Sequence, residues 1–283
     1  MMQTHPPPRL YAQVATAAPV ALVFRRGPGG WWHLLRWHLE QDALEPGAWF
    51  RGTLYPRRCD LSLDGALLAA FAASASSAEF LGEHPWTAYL LVSKAPWLFA
   101  LAAWREGGTW SRGHHFAAAG EAGAVAPADA GDASPLRARG GLAPTPVVQY
   151  AAERRRGWED DPRGEPRDPR GDPWDERRRA RLVKPRPGGG ARLVLEDQGL
   201  DLRAPRIEGR SPAYSVELGR RTVPLPEAAW ADWDGRGRLL VATHEARLEL
   251  RDGRAAGLAL RGAHDLSALR PAPQPAPAWA RRW

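Results

Sequence analysis

The chain has 283 residues, 44% hydrophobic and 25% charged, which supports a buried core and excludes a wholly disordered polymer. Its formal net charge is +7 and its pI about 10.2, yet Lys94 and Lys184 are the only lysines among 39 basic residues. Cys59 is the single cysteine, which excludes an intrachain disulfide and a cysteine-based zinc site. The arginines come with abundant Ala, Gly and Pro, the skew a GC-rich coding sequence produces. Arginine content is therefore not by itself a recognition signal here. The net positive charge predicts weak, salt-dependent attraction for anionic partners. A single thiol suits a reducing compartment, and the expected location is the cytoplasm.

Residues 1–19 read as a flexible start. The mildly apolar stretch 10–24 follows HPPPR, where a signal peptide would carry a basic region, so it predicts entry into a first strand rather than a leader. No apolar run approaches the roughly 20 residues a membrane helix needs, so no membrane partner is expected. Residues 20–39, VALVFRRGPGGWWHLLRWHL, predict a β-hairpin. Gly27-Pro28-Gly29-Gly30 cannot propagate a helix, and both faces of the incoming strand are apolar, as in an interior strand. Glu45-Pro46-Gly47 makes the next turn.

Residues 57–71, RRCDLSLDGALLAAF, place a charged patch before an Asp64-Gly65 turn and an apolar strand. A helix over 64–80 is the competing reading. Leu63, Leu67, Phe71, Ser74, Ala78 and Leu81 share helical spacing, and alanine favours helix. Gly65 is a poor first-turn residue, and alanine is inflated throughout this chain, which favours the strand. Further hairpins are predicted at 87–104, with Pro96 at the turn, at 191–205 after Gly188-Gly189-Gly190, and at 237–260, which contains Asp252-Gly253 as a further turn.

Two stretches break the pattern and read as mobile insertions. Residues 117–146 are rich in Ala, Gly and Pro. Residues 153–181 mix ten arginines with nine carboxylates around repeated Asp-Pro and Arg-Gly steps, too poor in apolar groups to repay ordering. The body then spans 20–270 as one β-rich domain. Residues 271–283 form a proline-rich tail that Trp279 and Trp283 would dock.

SLDGALLAA at 62–70 and DWDGRGRLLVA at 232–242 both pair an Asp-Gly turn with a strand opening on Leu-Leu. The aspartate caps the turn and the glycine takes positive φ. The first resembles the Ser-x-Asp-Gly turn of TolB-like and WD-type β-propellers, and the second the Asp-x-x-Gly-x-Leu turn of NHL-like propellers. RRGPGGWWHLLRW, LYPRRCDLSLDG and WADWDGRGRLL together resemble a group of bacterial proteins of unknown function. The resemblance implies a propeller-like array of four or five antiparallel sheets and no particular activity. The all-β class follows from the density of strands and turns, with a β-sandwich as the alternative architecture.

Candidate chemistry is sparse. Arg57, Arg58 and Asp60 are the densest charge beside a turn and suit an anion site, or a sheet edge blunted by charge. His114 and His115 are adjacent in a predicted strand and face opposite ways, which disfavours one shared metal. A calcium loop at 232–243 fails at its twelfth position, Thr243, where a bidentate glutamate is required. Neither a phosphate loop, a dinucleotide fingerprint nor a Gly-x-Ser-x-Gly elbow is present, and no cofactor or metal is expected. Fourteen tryptophans suit sheet packing. They also suit stacking on bases, but the basic residues are dispersed, which disfavours nucleic acid. The leading expectation is a non-catalytic binding or scaffold module for a protein or small anionic ligand. The alternatives are an enzyme of hydrolase or lyase type, gathering Arg57, Arg58, Asp60 and a histidine, and a weak nucleic-acid binder.

Overall fold

The structure, a computed structural model, describes residues 7–73, 88–106, 108–109, 111–118, 121, 136, 141–164, 179–197, 212–253 and 258–283. The chain is all-β, and among the described residues it has five antiparallel sheets, none closed into a barrel. Its contacts gather into two compact units. One holds 12–146 and 269–283, the other 7–11 and 147–268, so the stretch 20–270 is divided between them.

The first unit opens with β1 (Arg9–Val14, entering it at Ala12), β2 (Val20–Arg26), β3 (Trp31–His38) and β4 (Ala43–Arg51), paired in that order. β2 is interior and buried on both faces, as its two-sided apolar pattern requires. Gly27–Gly30 makes the predicted reversal, and Val20 pairs with His38. A second sheet contains β5 (Thr53–Leu54), β6 (Asp60–Leu61), β7 (Leu67–Ala73), β8 (Ala88–Lys94) and β9 (Ala102–Glu106). β7 pairs with β8 over its whole length, so residues 67–73 are strand and not the competing helix; residues 74–87 lie outside the described residues. Pro96 sits in the β8–β9 connection, where its carbonyl accepts from Ala48 N at 3.0 Å. Gly47 lets the backbones meet there, since a Cβ would lie 2.3 Å from Pro96 O.

The third sheet is a hairpin of β10 (His114–Phe116) and β11 (Leu142–Pro144). β11 lies within the predicted 117–146 insertion, and Ala117 N, just after β10, donates to Gly141 O at 3.1 Å, so both ends of that stretch are held in ordered structure. Leu67, Leu90, Val92, Trp104, Phe116 and Leu142 share one buried cluster, against which Trp283 packs. The tail docks as expected through Trp283, and Lys94 Nζ donates to Trp279 O at 3.0 Å; the Trp279 side chain itself is exposed.

The second unit has two sheets, each paired in sequence order. One runs β12 (Glu159–Asp160), β13 (Ala180–Pro185), β14 (Arg192–Asp197), β15 (Ala213–Leu218) and β16 (Arg221–Leu225). The other runs β17 (Ala228–Trp233), β18 (Leu239–Thr243), β19 (Arg247–Arg251) and β20 (Leu260–Asp265). β14 pairs with β13 around the triple glycine, and the second arm predicted at 198–205 lies outside the described residues. Leu182, Leu193, Leu195, Tyr214, Val216, Trp233, Leu239 and Val241 make a core drawn from both sheets.

The start of the predicted 153–181 insertion is built into this unit. A helical turn α1 (Ala151–Arg154) leads to Trp158, which is buried in that core. Asp161 is clamped by Arg163 and Arg181, both of which also reach Glu217. Burial works against the Asp161 charge, but the two guanidiniums overcome it and hold its carboxyl well below the usual range. Trp158 and this network supply the ordering energy that composition alone did not promise. Among the described residues no helix is long and apolar enough to cross a membrane.

Candidate functional site

The structure brings the predicted polar residues of the first unit close together but occupies their side chains. Asp60 is buried in β6, and its Oδ2 accepts the Phe116 amide at 2.9 Å, tying β6 to β10. Arg58 donates to Thr109 O and lies over the rings of Tyr55 (4.7 Å) and Phe71 (5.6 Å). Gly113 abuts the Arg58 backbone so closely that a Cβ would sit 2.2 Å from its carbonyl oxygen. Arg57 is exposed. His115 is buried, with Nε2 2.8 Å from Glu121 Oε1. His114 Nδ1 lies 3.6 Å from Glu106 Oε1; burial pulls its pKa down against the influence of that carboxylate. Cys59 is buried, and loss of solvation pushes its thiol up to about 12, so thiolate chemistry is unavailable to it near neutrality. These residues hold turns and strands together.

A different arrangement arises in the second unit, where three turns converge. They are the β13–β14 turn (186–190), the β17–β18 turn (234–238) and the reversal after β19 at Asp252-Gly253. Close approach of backbone explains two glycines. A Cβ on Gly237 would lie 2.5 Å from Pro187 O, and one on Gly253 would lie 2.3 Å from Gly237 O. The turns line a half-open cavity of about 380 Å³, bounded by Arg186, Arg236, Gly237, Arg238, Leu250, Asp252 and Arg261.

The guanidiniums differ in how they are held. Arg238 Nε donates to Asp234 Oδ2 at 2.7 Å, and Asp234 Oδ1 accepts the Arg236 and Arg238 amides at 3.0 and 2.8 Å. Arg261 Nη2 donates to Asp252 Oδ2 at 2.6 Å. Arg186 is only 8% exposed, and its partners are two carbonyls: Nε donates to Gly237 O at 2.8 Å and Nη1 to Gly189 O at 2.9 Å. Among the described residues it has no carboxylate partner, and Nη2 has no acceptor. A buried cation with no carboxylate bonded to it is costly unless something anionic approaches it.

Sequence reasoning marked all three turns but not their meeting point. Strand parity carries part of the signal, because the β17–β18 and β19–β20 connections of a meander fall at the same end of the sheet. The arginines carried none, since arginine is common everywhere in this chain. No protein-family model, no curated protein and no solved structure matches the chain.

Proposed function

We propose that the chain is a non-catalytic binding module that recognises an anionic partner through the arginine-lined cavity of its second unit. The observation that carries this reading is Arg186, a buried guanidinium bonded to carbonyls and to no carboxylate, in a cavity that it lines together with three more arginines and Asp252. Backbone carbonyls fix Arg186 in place, so the cation is positioned before any ligand arrives and little ordering entropy is lost on binding. The occupied state of Arg58, Asp60 and Cys59 supports binding rather than catalysis as the role to test first. The four-stranded meander β17–β20 has the form of a propeller blade, which supports the propeller-like reading as part of the same proposal. A cytoplasmic location completes it.

Thermal melts of the full chain test the reading. Phosphate, sulfate and citrate are compared with sodium chloride at matched ionic strength. A ligand present at 100 times its Kd contributes about 2.7 kcal/mol and raises Tm accordingly. If no anion raises Tm above the chloride control, the reading is wrong.

A further inference from the structure

We infer that the ligand of this cavity is a small phosphomonoester carrying hydroxyl groups, an inference that rests on the anion-binding reading above. Four guanidiniums line the cavity with a single lining carboxylate, Asp252, so the polar wall is built chiefly of donors in planar forks. Such forks match the several oxygens of a phosphoryl dianion better than the two of one carboxylate, and arginine engages phosphate bidentately. A cavity of about 380 Å³ lies at the small end of the range for ligand pockets and has room for more than the phosphoryl group.

The remaining lining decides what accompanies the phosphate. Among the described residues no aromatic side chain lines the cavity, so a nucleobase has no ring to stack upon. Leu250 offers one small apolar surface, and Asp252 is an acceptor suited to a hydroxyl group. A short polyhydroxylated chain or a single sugar ring answers both. Arg186 meets the phosphoryl group in this arrangement, because its Nη2 is the donor without an acceptor. Arg236 and Arg261, on the two other turns, close around it.

Calorimetric titration of the full chain with a pentose 5-phosphate, the unphosphorylated pentose, inorganic phosphate, citrate and a single-stranded oligonucleotide tests the inference. The pentose phosphate should bind at least tenfold more tightly than inorganic phosphate, and the free pentose should not bind measurably. Arg236→Gln and Arg261→Gln alter exposed side chains and leave the fold intact; each should weaken the pentose phosphate about tenfold. Arg186→Gln should abolish binding, with circular dichroism confirming that the variant is folded. If citrate binds as tightly as the pentose phosphate and the same variants weaken it, the phosphate assignment fails while the anion reading stands. Tighter binding of the oligonucleotide also overturns the small-ligand assignment. If no probe binds, or if binding is indifferent to Arg236→Gln and Arg261→Gln, both readings fail together.

Discussion

His33 shows how a polar residue can be kept in a core without a polar partner. It sits in β3 between Arg25 on β2 and Trp49 on β4, and its ring stacks on Trp49 at 4.0 Å with planes 8° apart. Neither ring nitrogen has a hydrogen-bond partner, and the residue is 3% exposed. Burial, assisted by the Arg25 charge, pushes its pKa down to about 4. The ring is therefore neutral in the folded protein at pH 5, where much of the unfolded population is protonated. The unfolded chain binds more protons between the two values, so stability is complete above about pH 6.5 and drains as pH falls toward 4. His33→Phe keeps the stack and removes the unsatisfied nitrogens. Urea unfolding at pH 7 should show a gain of about 1 kcal/mol, and the loss between pH 7 and pH 5 should shrink. An unchanged pH profile would show that His33 is not its source. Lys94 and Lys184 are equally particular. Each ammonium reaches one oxygen: Lys94 Nζ donates to Trp279 O at 3.0 Å and Lys184 Nζ to Asp232 Oδ1 at 2.6 Å.

At the scale of the element, the Asp-Gly turns recur with a shift of two residues. In the first, Asp64 Oδ1 accepts the Ala66 amide at 3.0 Å, Ser62 Oγ accepts that of Leu67 at 2.9 Å, and Gly65 takes φ +71°. In the second the positive φ falls on Gly237 (+73°) and not on Gly235. Gly65-Ala66-Leu67-Leu68 thus corresponds to Gly237-Arg238-Leu239-Leu240, and each strand starts two residues after its left-handed glycine. Asp234 caps through both the Arg236 and Arg238 amides, which carries the chain across the two extra positions. Aligning the two Asp-Gly pairs predicts the positive φ at Gly235, whereas the structure has it at Gly237. The sharp test is a pair of substitutions. Gly235→Ala meets open space and should change stability by less than about 0.5 kcal/mol. Gly237→Ala combines positive φ with a clash against Pro187 O and should cost about 2 kcal/mol in chemical denaturation. Equal effects would refute the two-residue shift.

At the scale of the molecule, the first unit is discontinuous in sequence. Its last segment, 269–283, returns after the whole second unit has been made. Leu269 O accepts Arg25 Nη2 at 2.9 Å, Trp279 O accepts Lys94, and Trp283 packs on the buried cluster of β7, β8 and β9. Removing 269–283 exposes apolar surface and leaves two cationic donors without these acceptors. It should cost the first unit about 3 kcal/mol, read as a lower midpoint in tryptophan-monitored unfolding. A truncated chain that unfolds at the same midpoint would show the tail to be ornamental.

The sequence by itself determined the local chemistry of this protein. Alternation, paired leucines and turn residues act over a few neighbours, so the strands at 20–39, 67–73 and 239–251 and the caps at Asp64 and Asp234 were legible. Only the tertiary structure decided which charges were spent and which were kept. Asp60 and Arg58 looked like a site but are consumed by Phe116 and Thr109, far along the chain. Arg186 was one arginine among many until three turns met around it and gave it carbonyls but no carboxylate. The physical reason is that the worth of a charge depends on its desolvation and its partners, and both are set by residues distant in sequence.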